Sequence, residues 1–350
     1  AAPNAPLFGR TAPGGVIQVI TKTPDQDSEF ALDLSYGNYQ TISASAYASG
    51  GLAENAAASI AVFSTTQGKG WGRNVFTGSE LNKRDEQAVR AKLALDLTDN
   101  LKVMLSGDYS TQTNDIGTNR TTYPGPGTLL GGPKVGGPFD GNYNFDPVAK
   151  NKQYGVSQEA ILDLGGATLR SITAYRHYRW HNTYGQGVTP VPIIDVVRDE
   201  KNETFQQEFL LETKLGPAEL TAGLFYLNAK ASIDPISTAS SATASINVAR
   251  IARQEVDSYA AFGQTSLELV KGFTLTAGVR YSDETAVLNG KLVAIPGNAL
   301  PAGTVLVQVT DKKIKANKIT WRFAADYKLA DRTLVYASAS RGFKTGGFNI

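Results

Sequence analysis

The chain has 350 residues, of which 41% are hydrophobic and 19% charged, with 35 glycines, no cysteine and a net charge of +2. No apolar run approaches the roughly 18 residues that a membrane helix needs, so a helical membrane protein is excluded, while a membrane β-barrel, whose strands alternate, is not. The balance of charge is too small to argue for nucleic acid, and the absence of cysteine rules out a disulfide scaffold and thiolate metal sites.

The chain opens Ala1-Ala2-Pro3 with no initiator Met or signal peptide, so an exported protein would have its start elsewhere or removed. Leu7 to Pro24 reads as a Pro13-Gly14-Gly15 turn, a short apolar strand Val16 to Ile20, and a polar exit through Thr21, Lys22, Thr23 and Pro24. It looks like the end of one domain (1–24) joined to another (25–350).

Beyond it one pattern repeats. Val89–Leu97, Leu101–Tyr109, Phe273–Ser282 and Ile319–Tyr327 alternate apolar and polar residues, the mark of a strand with two unlike faces. Phe30–Tyr36, Tyr39–Ser49, Ala57–Thr66, Tyr154–Leu164, Thr168–Trp180, Phe205–Thr213, Leu220–Asn228, Tyr259–Leu269 and Thr333–Ser340 fit less cleanly. That gives about thirteen strands, the clearest of them matching in length a tilted crossing of a bilayer.

Short connections rich in Gly, Asn, Asp or Pro (Gly50–Asn55, Thr98–Asn100, Gly165–Ala167, Gly216–Pro217, Val270–Gly272 and Ala330–Arg332) alternate with long ones. The long ones are Gly68–Arg84, Asn114–Gln153, His181–Asn202, Ile233–Arg253 and Thr285–Lys312, after a brief Gly37-Asn38 turn. Strict alternation is what an outer-membrane barrel shows, with short periplasmic turns and longer external loops. The fold expected is all-β: an antiparallel up-and-down transmembrane barrel.

Tyr36, Tyr109, Tyr281, Tyr327 and Tyr336 lie toward strand ends, where aromatic girdles sit. Arg90, Lys92, Lys102, Asp108, Glu208, Glu212, Arg280, Lys318, Arg322 and Asp326 would point into a wet lumen, because unpaired charge cannot be buried in hydrocarbon.

Two stretches carry a resemblance. Phe8-Gly9-Arg10, Gly14-Gly15-Val16-Ile17 and Ile20-Thr21-Lys22 with Pro24 resemble the last segment of the plug domain of TonB-dependent outer-membrane receptors. Leu334-Val335-Tyr336-Ala337-Ser338, Ser340-Arg341-Gly342-Phe343-Lys344 and Gly346-Gly347-Phe348-Asn349 are similar to a mid-barrel strand and following loop of that family, and Phe205-Gln206-Gln207-Glu208-Phe209 to another of its strands.

The resemblance implies part of a 22-stranded barrel with a plugged lumen, carrying a remnant of the plug. With about thirteen strands, an open or poorly closed curved sheet is expected. The chain then lacks most of the plug, the TonB-contact segment and the last strands, and ends at Ile350 in an outward loop. The implied activity is import across the outer membrane of a Gram-negative bacterium. It would be energised by the TonB complex, with a ferric siderophore the commonest substrate and no covalent cofactor. The implied partners are outer-membrane lipid and a small metal chelate.

Ligand-contact candidates are Tyr123, Tyr143 and Phe145 in the longest loop, and Trp180, His181 and Tyr184 at a loop mouth. Loop packing is the alternative for the first three. Arg10 could pair with the inward carboxylates Glu208 or Glu212, or simply be solvated. His177 and His181 lie about 13 Å apart along a strand, too far to share a metal. Gly131-Gly132-Pro133-Lys134 and Gly136-Gly137-Pro138 lack the context of a phosphate cradle and read as loop punctuation. No catalytic constellation is recognised, so an enzyme barrel is disfavoured. A passive porin is the main alternative; a soluble adhesin would have to explain the alternating loops.

Overall fold

A computed structural model of the chain describes residues 19–115, 135–185, 189–191 and 193–348. One antiparallel sheet of 13 strands follows sequence order without a crossover. Its members are β1 (Glu29–Gly37), β2 (Thr41–Ala53), β3 (Ala56–Gln67), then β6 (Arg84–Thr98), β7 (Leu101–Asn114), β8 (Val148–Asp163) and β9 (Ala167–Gly185). They continue with β10 (Asp195–Leu215), β11 (Ala218–Ala239), β12 (Val248–Val270), β13 (Phe273–Ala294), β14 (Val305–Ala330) and β15 (Thr333–Arg341). Between β3 and β6 a separate two-stranded hairpin forms from β4 (Gly72–Arg73) and β5 (Glu80–Leu81). The first and last strands, β1 and β15, do not pair with each other, so the sheet is open, as thirteen strands of a larger barrel would be.

The short turns are as expected: Asp99-Asn100 joins β6 to β7, Gly216-Pro217 joins β10 to β11, and Lys271-Gly272 joins β12 to β13. Gly216 and Gly272 stand at φ +62° and +83°, a conformation that side-chain-bearing residues avoid and hairpin turns require.

The long connections differ from the sequence reading. Much of His181–Asn202, Ile233–Arg253 and Thr285–Lys312 is strand, because β9 to β14 run for 19 to 26 residues. A bilayer crossing takes only about 9–11, so these hairpins stand well clear of the membrane. In their outer portions the two-face contrast is lost: Lys201, Asn202 and Glu203 of β10 are polar on both faces, and Ala286, Val287 and Leu288 of β13 apolar on both. The main-chain ladder needs no such contrast to continue.

The two faces separate as the alternation requires. On β13, Leu275, Ala277, Val279 and Tyr281 lie opposite Ala325, Phe323, Trp321 and Ile319 of β14. Val279 is 53% exposed and Phe323 57%, whereas Arg280 and Ser282 between them are 5% and 4% exposed. Leu93 and Leu95 face Leu105 and Val103 in the same way, with Arg90, Lys92, Lys102 and Asp108 on the other side. A soluble protein would bury the apolar stripe; here it is displayed, which suits a hydrocarbon solvent. Tyr36, Tyr109, Tyr281 and Tyr327 share that outer face, but Tyr336 pairs with the inward Asp326 and lies on the inner face. Both faces of β15 are partly apolar, so its alternation is ambiguous.

The inner face is not uniformly polar. Phe225, Leu227, Ala260 and Phe262 form a buried cluster there, with Leu210 and Ala229 against it. The Arg280 guanidinium lies 5.6 Å from the Phe225 ring and 5.3 Å from that of Phe262, in range of a cation–π attraction.

Candidate functional site

Two features crown the outer end of the sheet. The first ties two external loops into one unit around Asn74, which is fully buried. Its Nδ2 donates to the carbonyl oxygens of Tyr143 (3.1 Å) and Phe145 (3.0 Å) and to Asp146 Oδ1 (3.0 Å). Its Oδ1 accepts from the backbone N–H groups of Tyr143 (3.0 Å) and Phe76 (3.3 Å). Such an amide satisfies buried backbone groups that a loop has no ladder to serve.

Asp146 also accepts from Thr77 Oγ1 and Ser79 Oγ, both at 2.7 Å, and Asp140 accepts from the Arg73 and Gly137 N–H groups at 2.8 and 2.7 Å. Gly72 packs so closely that a Cβ would stand 2.0 Å from the Phe139 carbonyl oxygen. Burial pushes the Asp146 carboxyl upward, but the hydrogen bonds from Thr77, Ser79 and Asn74 outweigh it and hold the group below its ordinary value. At Asp115 burial wins over the backbone N–H groups around it and the carboxyl is raised. The unit presents Val75, Phe76 and Phe139, which remain 42–59% exposed.

The second feature is a strip on the inner face near the mouth. β9 and β10 pair so that Trp180 lies opposite Glu200 and Tyr184 opposite Val196. Arg198 stacks over the Trp180 ring at 4.9 Å and donates to Glu200, while Tyr178 Oη donates to Asn151 Oδ1 at 3.1 Å. A planar cation on an indole beside amide and phenol groups can receive a polar, partly aromatic molecule.

Among the sequence candidates, Trp180 and Tyr184 therefore share the inner face. His181 points to the outer face, where Nδ1 lies 3.0 Å from Asp199 Oδ1. Its neighbours in sequence misled because adjacent strand residues face opposite ways. Tyr143 is 1% exposed, packed on Leu81, so its ring holds the loop unit together and is closed to a ligand in this conformation. Phe145 lies beside it, ring centroids 6.3 Å apart. Tyr123 and Arg10 fall outside the described residues, as do Gly131–Lys134 and the start of the Leu7–Pro24 stretch.

Glu208 and Glu212 both lie on the inner face, Glu208 opposite Phe225 and Glu212 opposite Thr221. Glu208 Oε1 is buried without a hydrogen-bond partner; Glu212 is exposed. The described end of the first stretch also lies on this face: Lys92 Nζ donates to the carbonyl oxygens of Thr21 (3.0 Å) and Lys22 (2.8 Å), and Lys22 pairs with Glu29. Arg198 and Tyr178 were not singled out from sequence. Extending the β9–β10 alternation through 195–202 would have placed Arg198 beside Trp180. Among the described residues no group of three or more His, Asp or Glu is placed to hold a metal ion.

An open antiparallel sheet with an apolar outside, a polar inside and built-up external loops defines part of the wall of a large outer-membrane barrel. The family described as TonB dependent receptor-like, beta-barrel, matches residues 19–350, and the chain belongs to it. Its members are outer-membrane proteins of Gram-negative bacteria, and that is where this chain resides.

Solved structures agree on the fold. The ferric yersiniabactin uptake receptor FyuA from Yersinia pestis superposes with a TM-score of 0.79 at 16% identity, covering 96% of this chain and 50% of that one. The open form of the ferric-catecholate import receptor Fiu from E. coli K12 gives 0.73 at 16% identity, covering 95% and 57%. The siderophore receptor PiuA from Acinetobacter baumannii gives 0.66 at 12% identity, covering 91% and 50%. The chain thus spans about half the length of these receptors.

Proposed function

We propose that this chain forms the plug-side part of a receptor that imports a ferric siderophore, energised by the TonB complex. The observation that carries the proposal is the Trp180–Arg198–Glu200 strip on the inner face at the outer mouth. A cation on an aromatic plane suits an anionic, catechol- or carboxylate-bearing chelate entering from outside. The likeness in fold to FyuA and Fiu, a ferric-yersiniabactin and a ferric-catecholate receptor, supports the substrate class. Phe145 and Tyr184 are counted with the same mouth, and His181 stands on its outer side; Tyr123 stays a ligand-contact candidate from the sequence alone.

The polar inner face would hold a plug, with residues 1–24 as its last segment and Arg10 facing Glu208 and Glu212. Such pairs in a wet lumen are weak enough to break when the plug moves. The protein is read as a transporter, not an enzyme.

The test is uptake of radiolabelled ferric siderophores by cells that carry the complete receptor and lack other siderophore receptors. Accumulation that stops on deleting TonB or collapsing the proton gradient is expected. Uptake that persists under both treatments would instead favour a passive porin.

A further inference from the structure

The outer face of the wall holds a group that a lipid solvent leaves unsatisfied. Tyr154 of β8 lies opposite the outward Tyr109, and Gln158 lies opposite Leu105, so by the period of the strand Tyr154, Val156, Gln158, Ala160 and Leu162 all face outward. Gln158 stands four residues from Tyr154 toward the mouth and four from Leu162 at the periplasmic end of the strand. Four residues are about 13 Å of strand, or about 10 Å of depth at the usual tilt of barrel strands. The Gln158 amide therefore sits near the middle of an apolar band about 25 Å tall.

The polar groups next to it on the same face satisfy one another. Thr173, opposite Gln158 on β9, donates its Oγ1 to Gln207 Oε1 at 2.6 Å. Gln207 Nε2 donates to Ser171 Oγ at 3.0 Å and to the Glu208 carbonyl oxygen at 3.2 Å. The Gln158 side chain is exposed and makes no hydrogen bond among the described residues. Water would satisfy such an amide, but hydrocarbon cannot, and an unpaired carboxamide there is strongly disfavoured.

The wall is hollowed beside it. A recess of about 1040 Å³ runs from Ala48 and Ala58 across Ala91 and Gly107 to Gln158 and Tyr175. Ile60, Leu93, Leu105 and Val156 make its walls largely apolar. The fold does not demand a glycine at 107, because a Cβ there would meet nothing nearer than 3.9 Å. Small residues at such a place let a second surface approach the amide closely.

The chemistry of the amide selects the occupant. An acyl chain can fill the recess but offers no hydrogen bond. Receptors inserted in the same sense are related by a two-fold axis along the membrane normal, and a residue beside that axis meets its own counterpart. A carboxamide is both donor and acceptor, so two copies of Gln158 can each donate to the other. We propose that the outer face of β6 to β9 is the contact surface of a receptor homodimer within the bilayer, centred on Gln158. The contact stands whatever the receptor transports.

The complete receptor, labelled with donor and acceptor dyes on an external loop and reconstituted in phospholipid vesicles, reports association by energy transfer. Transfer should rise with receptor density above the level of random encounters. Gln158→Leu removes the amide and suits hydrocarbon; it should weaken association at least 10-fold, roughly the worth of interhelical amide bonds in lipid. Gly107→Leu, which fills the recess, should also weaken it, whereas Val279→Leu on the outward face of β13 should leave it unchanged. In a receptor cleared of any other cysteine, Gln158→Cys should be joined to its counterpart by a short bismaleimide, and Val279→Cys should not. Transfer at the random level at every density, association unchanged in Gln158→Leu, or cross-linking of Gln158→Cys no better than that of Val279→Cys would each overturn the proposal.

Discussion

Placing a charge on the outer face of β13 tests which side of the sheet meets lipid. Val279 lies opposite Trp321 of β14 and Gly263 of β12 and is 53% exposed, within a run of apolar outward residues. An Arg or Lys there would enter hydrocarbon at a cost of about 2–4 kcal/mol near the bilayer midplane. That is roughly a 25- to 700-fold shift in the folding equilibrium. Ser157 of β8 is the matched control: it lies on the inner face, opposite Ser106 and Ala174, and is exposed there. Ser157→Arg should cost under about 1 kcal/mol, in keeping with an ordinary exposed substitution. Urea-induced unfolding of the complete receptor in phospholipid vesicles, followed by tryptophan fluorescence, compares the two. Equal costs, or a greater cost at Ser157, would refute the assignment of faces.

The loop unit yields two further predictions. Asn74→Ala leaves the Tyr143 N–H and two backbone carbonyls without their partner, so amide exchange over residues 135–147 should accelerate, with a loss of local stability of about 1–3 kcal/mol; unchanged protection would show that Asn74 is not the link. Because the folded Asp146 carboxyl is held below its ordinary value, its contribution is present above the pKa of the unfolded chain and is lost as pH falls through the lower folded value. Exchange in the same segment should therefore rise on acidification below about pH 4, and Asp146→Asn should flatten that response. At the mouth, Trp180→Ala and Arg198→Gln should each weaken binding of the transported chelate about 5- to 30-fold, read by titration on whole cells, with the amount of receptor unchanged.

Much of the wall was legible because its physics is local. Leu101, Val103, Leu105 and Tyr109 announce a face by spacing alone, and the Gly216-Pro217 turn announces a hairpin by backbone requirement. The outer halves of the hairpins were not legible. Lys201, Glu203 and Asn202 are polar on both faces, so the period that marks a strand vanishes although the ladder continues. The loop unit was hidden for a different reason: Asn74 and Tyr143 are 69 residues apart, and no local pattern marks a buried amide that serves a distant backbone. Trp180 and Tyr184 share the inner face while His181 stands on the outer one, because the two-residue period of β9 continues through a segment that reads as loop.

The central claim is that alternate residues of each crossing meet oil and water. This chain has no cysteine of its own, and in a complete receptor cleared of any other cysteine single ones can be placed one by one along β13 from Leu275 to Ser282, with the protein reconstituted in vesicles. Labels at Leu275, Ala277, Val279 and Tyr281 should be quenched by lipid-borne nitroxide. Those at Thr276, Gly278, Arg280 and Ser282 should not be, giving a period of two. Uniform quenching, or quenching at the second set instead of the first, would contradict the account.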